Sequence, residues 1–191
     1  MKKILSVILC GAIALSIASC SGSDVKPASG TDVTTSSGAT EKASVSTDAD
    51  FSPDFTFKTT DRAGNTYDES IFASAKLTMI NFWEPWCGPC VGEMPDLQKL
   101  QEAYADRGFQ ILGVYGTPGM ESEIDAILES AGVTYPILCY CDAFESFQTG
   151  YVPTTVFLDA QGRVCAVNGE EAVYVGSRSY ADWAAIVEAL L

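Results

Sequence analysis

The run Trp86-Cys87-Gly88-Pro89-Cys90 sets two thiols one helical turn apart, at a point where an apolar stretch gives way to a helical pattern. Ahead of it, Leu77-Thr78-Met79-Ile80-Asn81-Phe82-Trp83 reads as a buried strand. Behind it, Val91, Met94, Leu97, Leu100 and Tyr104 recur at helical spacing. Cys87 therefore falls at a helix N-terminus, where unpaired backbone N–H groups and the helix dipole favour a thiolate. Pro89 is tolerated in a first turn because its missing N–H would have had no partner there. Cys90 is placed to attack any mixed disulfide formed on Cys87, and that sequence of steps is dithiol–disulfide exchange.

Two blander chemistries compete for the same pair: half of a zinc site, or an inert structural disulfide. The chain has no histidine. That removes Ser-His-Asp and Cys-His catalysis and His-dependent copper sites together. A metal site built from Cys87, Cys90, Cys139 and Cys141 is the alternative from a different class. No peroxidatic Thr-x-x-Cys pattern precedes the core helix. The expectation is a protein with no metal and no cofactor beyond a redox-active Cys87–Cys90 disulfide.

The elements that must position the pair follow in alternation. Phe55-Thr56-Phe57-Lys58 and a turn at Ala63-Gly64-Asn65 suggest a hairpin. Then come strand 77–83, helix 88–106, strand 109–115, helix 120–131, a short strand at 135–138 and a short helix near 142–149. Such an order implies a mostly parallel α/β sheet with helices on both faces. Strand 153–158, a turn at Asp159-Ala160-Gln161-Gly162 and strand 163–167 form an antiparallel hairpin at the end. Tyr180, Trp183, Ile186, Val187 and Leu190 make a closing amphipathic helix. Pro95 should bend the first long helix, since it removes a backbone hydrogen bond. Trp83 and Trp86 flank the pair, either shielding it or simply packing.

Several separated motifs resemble the thioredoxin-like proteins of the TlpA/ResA type. They are Asn81-Phe82-Trp83 through Glu93-Met94-Pro95, then Val133-Thr134-Tyr135-Pro136-Ile137-Leu138, and Gly150 through Asp159 followed by Gln161-Gly162. The resemblance covers about residues 51–191. It implies a thioredoxin-like fold: a mixed central sheet flanked by helices, with an N-terminal hairpin and a βα insertion. It also implies a thiol–disulfide oxidoreductase tethered outside the cytoplasmic membrane, reducing disulfides of exported proteins such as apocytochrome c. Its implied electron donor is a membrane thiol transporter of the CcdA type. A dithiol oxidase or isomerase of the same fold is the other reading; Gly-Pro between the cysteines matches thioredoxin, a reductant near about −270 mV, and not DsbA near about −120 mV. The resemblance further implies that Pro153 is a cis-proline facing the pair, with the Val152 backbone and Trp86 offered to an extended substrate.

Where thioredoxin has a buried Asp six residues before the first active Cys, this chain has Asn81, which cannot take a proton. The TlpA/ResA type uses a Glu three residues after the second Cys, here Glu93. Helical spacing puts Glu93 beside Cys90 as its proton acceptor, the alternative being a solvated first-turn Glu favoured by the helix dipole. Glu84, close to Cys87, should oppose thiolate formation unless it points into water.

The N-terminus carries Lys2 and Lys3 before an apolar run from Ile4 to Ile17, and Ile17-Ala18-Ser19-Cys20 looks like a bacterial lipoprotein cleavage box. The run is short for a spanning helix, which needs about 20 residues. The expectation is a signal peptide at 1–19, a diacylglyceryl anchor on Cys20 and a flexible Ser/Thr/Ala/Gly tether through residue 50, reaching on the order of 30 Å. The thioredoxin-like domain then occupies 51–191, a monomer on the outer face of the bacterial cytoplasmic membrane, held there through the lipid alone. A net charge of −14 argues against nucleic acid and against docking on anionic lipid. Of the seven cysteines, Cys139, Cys141 and Cys165 remain after the anchor, the signal-peptide Cys10 and the active pair are set aside. Cys139 and Cys141 follow a strand as Cys87 does, which makes them candidate accessory thiols, with strand-end packing as the alternative; Cys165 reads as a small buried hydrophobe.

Overall fold

The computed structural model describes residues 56–191. The signal-like segment 1–19, Cys20, the 20–50 tether and the first residues of the 51–191 domain lie outside the described residues. Among those described, no helix is long and apolar enough to cross a membrane.

The N-terminal hairpin forms as the turn residues dictate. β1 (Lys58–Thr60) pairs antiparallel with β2 (Thr66–Asp68). The Asp61 carboxylate closes the turn by accepting the Ala63 and Asn65 main-chain N–H groups at 2.9 and 2.8 Å. The central sheet has the order β5-β4-β3-β6-β9. β3 (Leu77–Phe82), β4 (Phe109–Tyr115) and β5 (Ile137–Cys139) run parallel. β6 (Thr154–Asp159) and β9 (Val173–Val175) are antiparallel to the strands they join. The sheet is mixed, and β5 with the helix before it is the βα insertion.

The three α-helices among the described residues lie on one face. α1 (Gly88–Tyr104), α2 (Glu121–Ala131) and α3 (Tyr180–Leu190) share a core with Leu77, Met79, Ile111, Ile137 and Phe157. The alternate strand residues Ile80, Phe82, Leu112, Val114, Val156 and Leu158 point the other way. That second face is covered by the hairpin through Phe57 and by two 3-10 turns, at 69–74 through Phe72 and at 142–147 through Phe144 and Phe147. The helix expected near 142–149 is thus a 3-10 turn that ends at Phe147. Pro95 sits inside α1 without ending it.

The C-terminal hairpin differs from the sequence expectation. Residues 163–165 do begin to pair with β6, through Asp159 N–H to Arg163 O (2.9 Å) and Cys165 N–H to Phe157 O (2.8 Å). The chain then leaves the sheet as a smaller hairpin, β7 (Ala166–Val167) with β8 (Glu170–Glu171), and β9 takes the place beside β6. The cause is Asn168-Gly169, whose φ values of 53° and 83° suit a two-residue turn with both residues left-handed. That dipeptide was the readable signal for the excursion.

Gly113 on β4 has no room for a side chain. A Cβ there would lie 2.5 Å from Ile137 Cδ1 and 3.3 Å from Trp83 Nε1. Gly113→Ala is expected to destabilise the protein by about 1–3 kcal/mol, the usual cost of overpacking. An unchanged midpoint in urea unfolding would show that the β4–β5 seam can yield.

Candidate active site

Cys87 caps α1. Its backbone is extended, its Sγ accepts the Cys90 main-chain N–H at 3.3 Å, and Gly88 and Pro89 fill the first helical positions. Cys87 and Cys90 are joined in a disulfide with Cα atoms 5.3 Å apart. Both lie against the core, Cys90 fully buried and Cys87 nearly so. The Val152–Pro153 peptide is cis, and Cys87 Sγ lies 3.6 Å from the Val152 carbonyl oxygen. In the disulfide that sulfur has no proton, so this is a contact; a reduced Cys87 could donate there.

The alternative of a solvated Glu93 is excluded, because the side chain is 4% exposed. Its Oε1 accepts from Asn81 Nδ2 at 3.1 Å. Its Oε2 accepts from the Arg178 main-chain N–H at 3.1 Å and from the Trp183 indole at 3.2 Å. Burial pushes the carboxyl above its ordinary range, opposed in part by these donors and by the Arg178 cation. Asn81 also donates to Thr155 Oγ1 at 3.0 Å, so its amide links the acid to the strand that begins beside Pro153. Sequence reasoning had Asn81 only as a residue without a proton. It also read Trp183 as plain packing, although a buried indole N–H normally finds a partner.

Trp83 and Trp86 part company. Trp83 is buried, with its ring 6.1 Å from that of Tyr115. Trp86 is 63% exposed and donates from its indole to Thr117 Oγ1 at 3.1 Å. Tyr151, on the loop carrying Pro153, is 69% exposed and was missed in the sequence. Glu84 neither approaches Cys87 as a bare charge nor points freely into water. Its Oε1 accepts the Gly116 N–H at 2.9 Å and its Oε2 the Thr117 N–H at 3.1 Å. The carboxylate fastens the β4–α2 loop to the segment that carries the cysteines.

The remaining cysteines are scattered, and Cys139 is disulfide-bonded and not a free thiol. Cys139 ends β5 on the helix-covered face, with its Sγ 3.8 Å from the Tyr115 hydroxyl. Cys141 packs toward the opposite face, and burial raises its thiol. Burial pushes Cys165 up to about 12. Neither Cys141 nor Cys165 is built as a thiolate. Among the described residues no three His, Cys, Asp or Glu side chains gather as a metal centre would need.

A mixed sheet with a redox pair at a helix N-terminus facing a cis-proline defines a thioredoxin-like protein. The AhpC/TSA family model matches residues 49–167, and the chain belongs to that family. Thioredoxin-like protein YneN of Bacillus subtilis is 34% identical over 113 residues, covering 58% of this chain and 64% of that protein. Thiol-disulfide oxidoreductase ResA of Geobacillus kaustophilus is 33% identical over 128 residues, covering 65% of this chain and 70% of that one. The match to YneN thus spans less than two thirds of that relative's length. The crystal structure of a thiol:disulfide interchange protein of the thioredoxin family from Chlorobium tepidum superposes with a TM-score of 0.59 at 29% identity, covering 71% of this chain and 94% of that one. The likeness to the TlpA/ResA type read from the motifs is borne out by these relatives.

Two outcomes follow from the site's hydrogen bonds. Glu84→Ala should speed amide hydrogen exchange at Gly116 and Thr117 by about tenfold or more, since each N–H loses a charged acceptor; unchanged protection would mean the loop holds itself. The second concerns Glu93. Its folded-state pKa lies above the unfolded value, so its contribution to stability is fully present below the unfolded pKa and is lost as pH rises through the folded one. Gln fits the same donors if Asn81 turns its amide. Glu93→Gln is therefore expected to gain stability relative to wild type as pH rises through that window, read as urea midpoints against pH.

Proposed function

We propose that this protein is an extracytoplasmic thiol–disulfide oxidoreductase that reduces disulfides of exported proteins. The observation that carries the reading is the helix-capping Cys87, bonded to the buried Cys90 and in contact with the Val152 carbonyl. In the working direction the reduced Cys87 thiolate attacks one sulfur of a client disulfide. A Cys87–client bond forms and the client's other sulfur leaves as a thiolate. Glu93 takes the proton of Cys90, whose sulfur then attacks Cys87. The client's second sulfur departs as a thiolate, the Cys87–Cys90 disulfide closes, and the pair's two electrons leave with the reduced client. A dithiol donor must restore the pair, and a membrane thiol transporter of the CcdA type suits a protein working outside the cytoplasm.

Trp86 and Tyr151 supply exposed aromatic surface on the two segments that meet at Cys87, and the Val152 main chain offers an extended client a place to pair. The lipoprotein-like box ending at Cys20 supports a lipid anchor on the outer face of the cytoplasmic membrane, with residues 21–50 as tether. Apocytochrome c is the client class we favour, and the domain works as a monomer. Neither role needs a cofactor beyond the cysteine pair.

Cys90→Ala should arrest the cycle at the first step and accumulate mixed disulfides on Cys87 in cells, whereas Cys87→Ser should abolish reductase activity with the fold intact. Identification of the trapped proteins names the clients. Recovery of exported proteins bearing c-type haem motifs supports the reading. Trapping with oxidising partners, or a purified pair with a potential near about −120 mV, would sink the reductive direction.

A further inference from the structure

The buried acid is held by an element far from the cysteines in sequence. Trp183 on α3 is fully buried, and its indole N–H has Glu93 Oε2 as acceptor. The same oxygen accepts the Arg178 N–H. One turn further along α1, Asp96 Oδ2 accepts the Tyr180 N–H at 3.1 Å. Two carboxylates of α1 thus take alternate main-chain N–H groups of residues 178–180, docking the start of α3 on the redox helix. Ser179 caps α3 by accepting the Asp182 N–H, which fixes the approach of Trp183. The Arg178 guanidinium lies over the rings of Tyr174 (4.7 Å) and Trp183 (5.1 Å), and Nη1 donates to Gly176 O at 3.0 Å.

We propose that Trp183 is a positioning residue for the resolving step: its indole N–H fixes Glu93 Oε2 and sets the pH at which Glu93 can take the proton of Cys90. This rests on the reading of Glu93 as proton acceptor. The groups facing Glu93 are few. Asn81 from β3 is a neutral donor, Tyr135 from the segment before β5 is a buried phenol held above its usual range, Arg178 is the cation, and Cys90 lies one turn back on α1. An indole N–H bonds more strongly to a carboxylate than to the carbonyl oxygen of the protonated acid, so it favours carboxylate over carboxylic acid. Without it Glu93 binds its proton more tightly. Cys90 then loses its acceptor at pH values where the wild type still has one.

The test uses the full chain, reduced, reacting with an aryl disulfide such as dithionitrobenzoate. The first chromophore is released when Cys87 attacks, the second when Cys90 resolves the mixed disulfide. Trp183→Phe keeps the ring and removes the N–H. It is expected to move the pH midpoint of the second release up by about one unit, the shift that loss of one hydrogen bond to a charged group produces, and to leave the first release where it was. In a Glu93→Gln background the same substitution should change neither. An unmoved second midpoint in Trp183→Phe, with Glu93→Gln still altering that profile, overturns the role of Trp183 alone. If Glu93→Gln itself leaves the second profile unchanged, the proton-acceptor reading falls and this inference falls with it. A measurement on the wild type covers a Trp183→Phe that fails to fold. The Trp183 indole N–H NMR resonance should titrate with the midpoint of the second release and lose that titration in Glu93→Gln; a resonance indifferent to pH across that range overturns the proposal.

Discussion

One carboxylate in the interior organises this molecule. Burying an ionisable acid is costly unless its oxygens are hydrogen-bonded, and a carboxylate left alone in such a place takes up a proton. Glu93 meets that demand with three donors, drawn from β3, from the segment after β9 and from α3. Each donor has its own anchor: Asn81 on Thr155, Arg178 on its aromatic stack, Trp183 among Phe157 and Tyr174. Polar contacts at the turn that follows Cys90 add direction to the apolar packing of Met94, Leu97 and Leu100 that holds the same helix.

The rim of the site follows a different rule. Around Cys87 the chain exposes Trp86 and Tyr151, yet the segments carrying them are tied down from below. Glu84 accepts two successive N–H groups of the loop after β4, and Trp86 adds its indole bond to Thr117. On the other side Thr154 Oγ1 donates to Tyr151 O at 2.7 Å and shares a contact of 2.6 Å with Thr149 Oγ1. An apolar surface offered to varied clients loses least on binding when its backbone is already ordered. Hydrogen bonds directed at main-chain atoms provide that order without covering the aromatic faces.

The sequence carried those parts of the fold that depend on local pattern. The hairpin turn, β3 to α2 and the closing helix are legible because period and turn residues act over short distances. The 166–171 excursion is equally local, and Asn168-Gly169, a signal that the strand reading of 163–167 did not use, marks its turn. The covering of the second sheet face was not legible, since Phe72, Phe144 and Phe147 fit a helix or a 3-10 turn equally well. In the site, the Cys87–Cys90 pair was plain from spacing, and Glu93 and Pro153 from the resemblance. Trp183 and Arg178 lie 90 and 85 residues from Glu93 along the chain, beyond what any periodicity can relate. Glu84 looked like an electrostatic liability because its two N–H partners are backbone, and backbone donors leave no trace in residue identity.

Placing the acid on α1 and not on β3 has a physical consequence. An ionisable residue at position 81 would sit on a strand whose neighbours are set by the sheet, whereas Glu93 moves with the helix that holds Cys90. Asn81 keeps the strand's part neutral and turns it into a connector, since one amide nitrogen reaches Glu93 Oε1 and Thr155 Oγ1 together. Thr155 is the second residue of β6, two along from Pro153, and Thr154 between them bonds back to Tyr151. A short chain of hydrogen bonds therefore runs from the buried acid, through a side chain that cannot titrate, to the strand bearing the loop on which a client would lie. A change in the charge of Glu93 alters what Asn81 donates to, and Asn81 is shared with that strand. Glu93 and the loop that bears Pro153 are thereby joined through the neutral side chains of Asn81, Thr155 and Thr154.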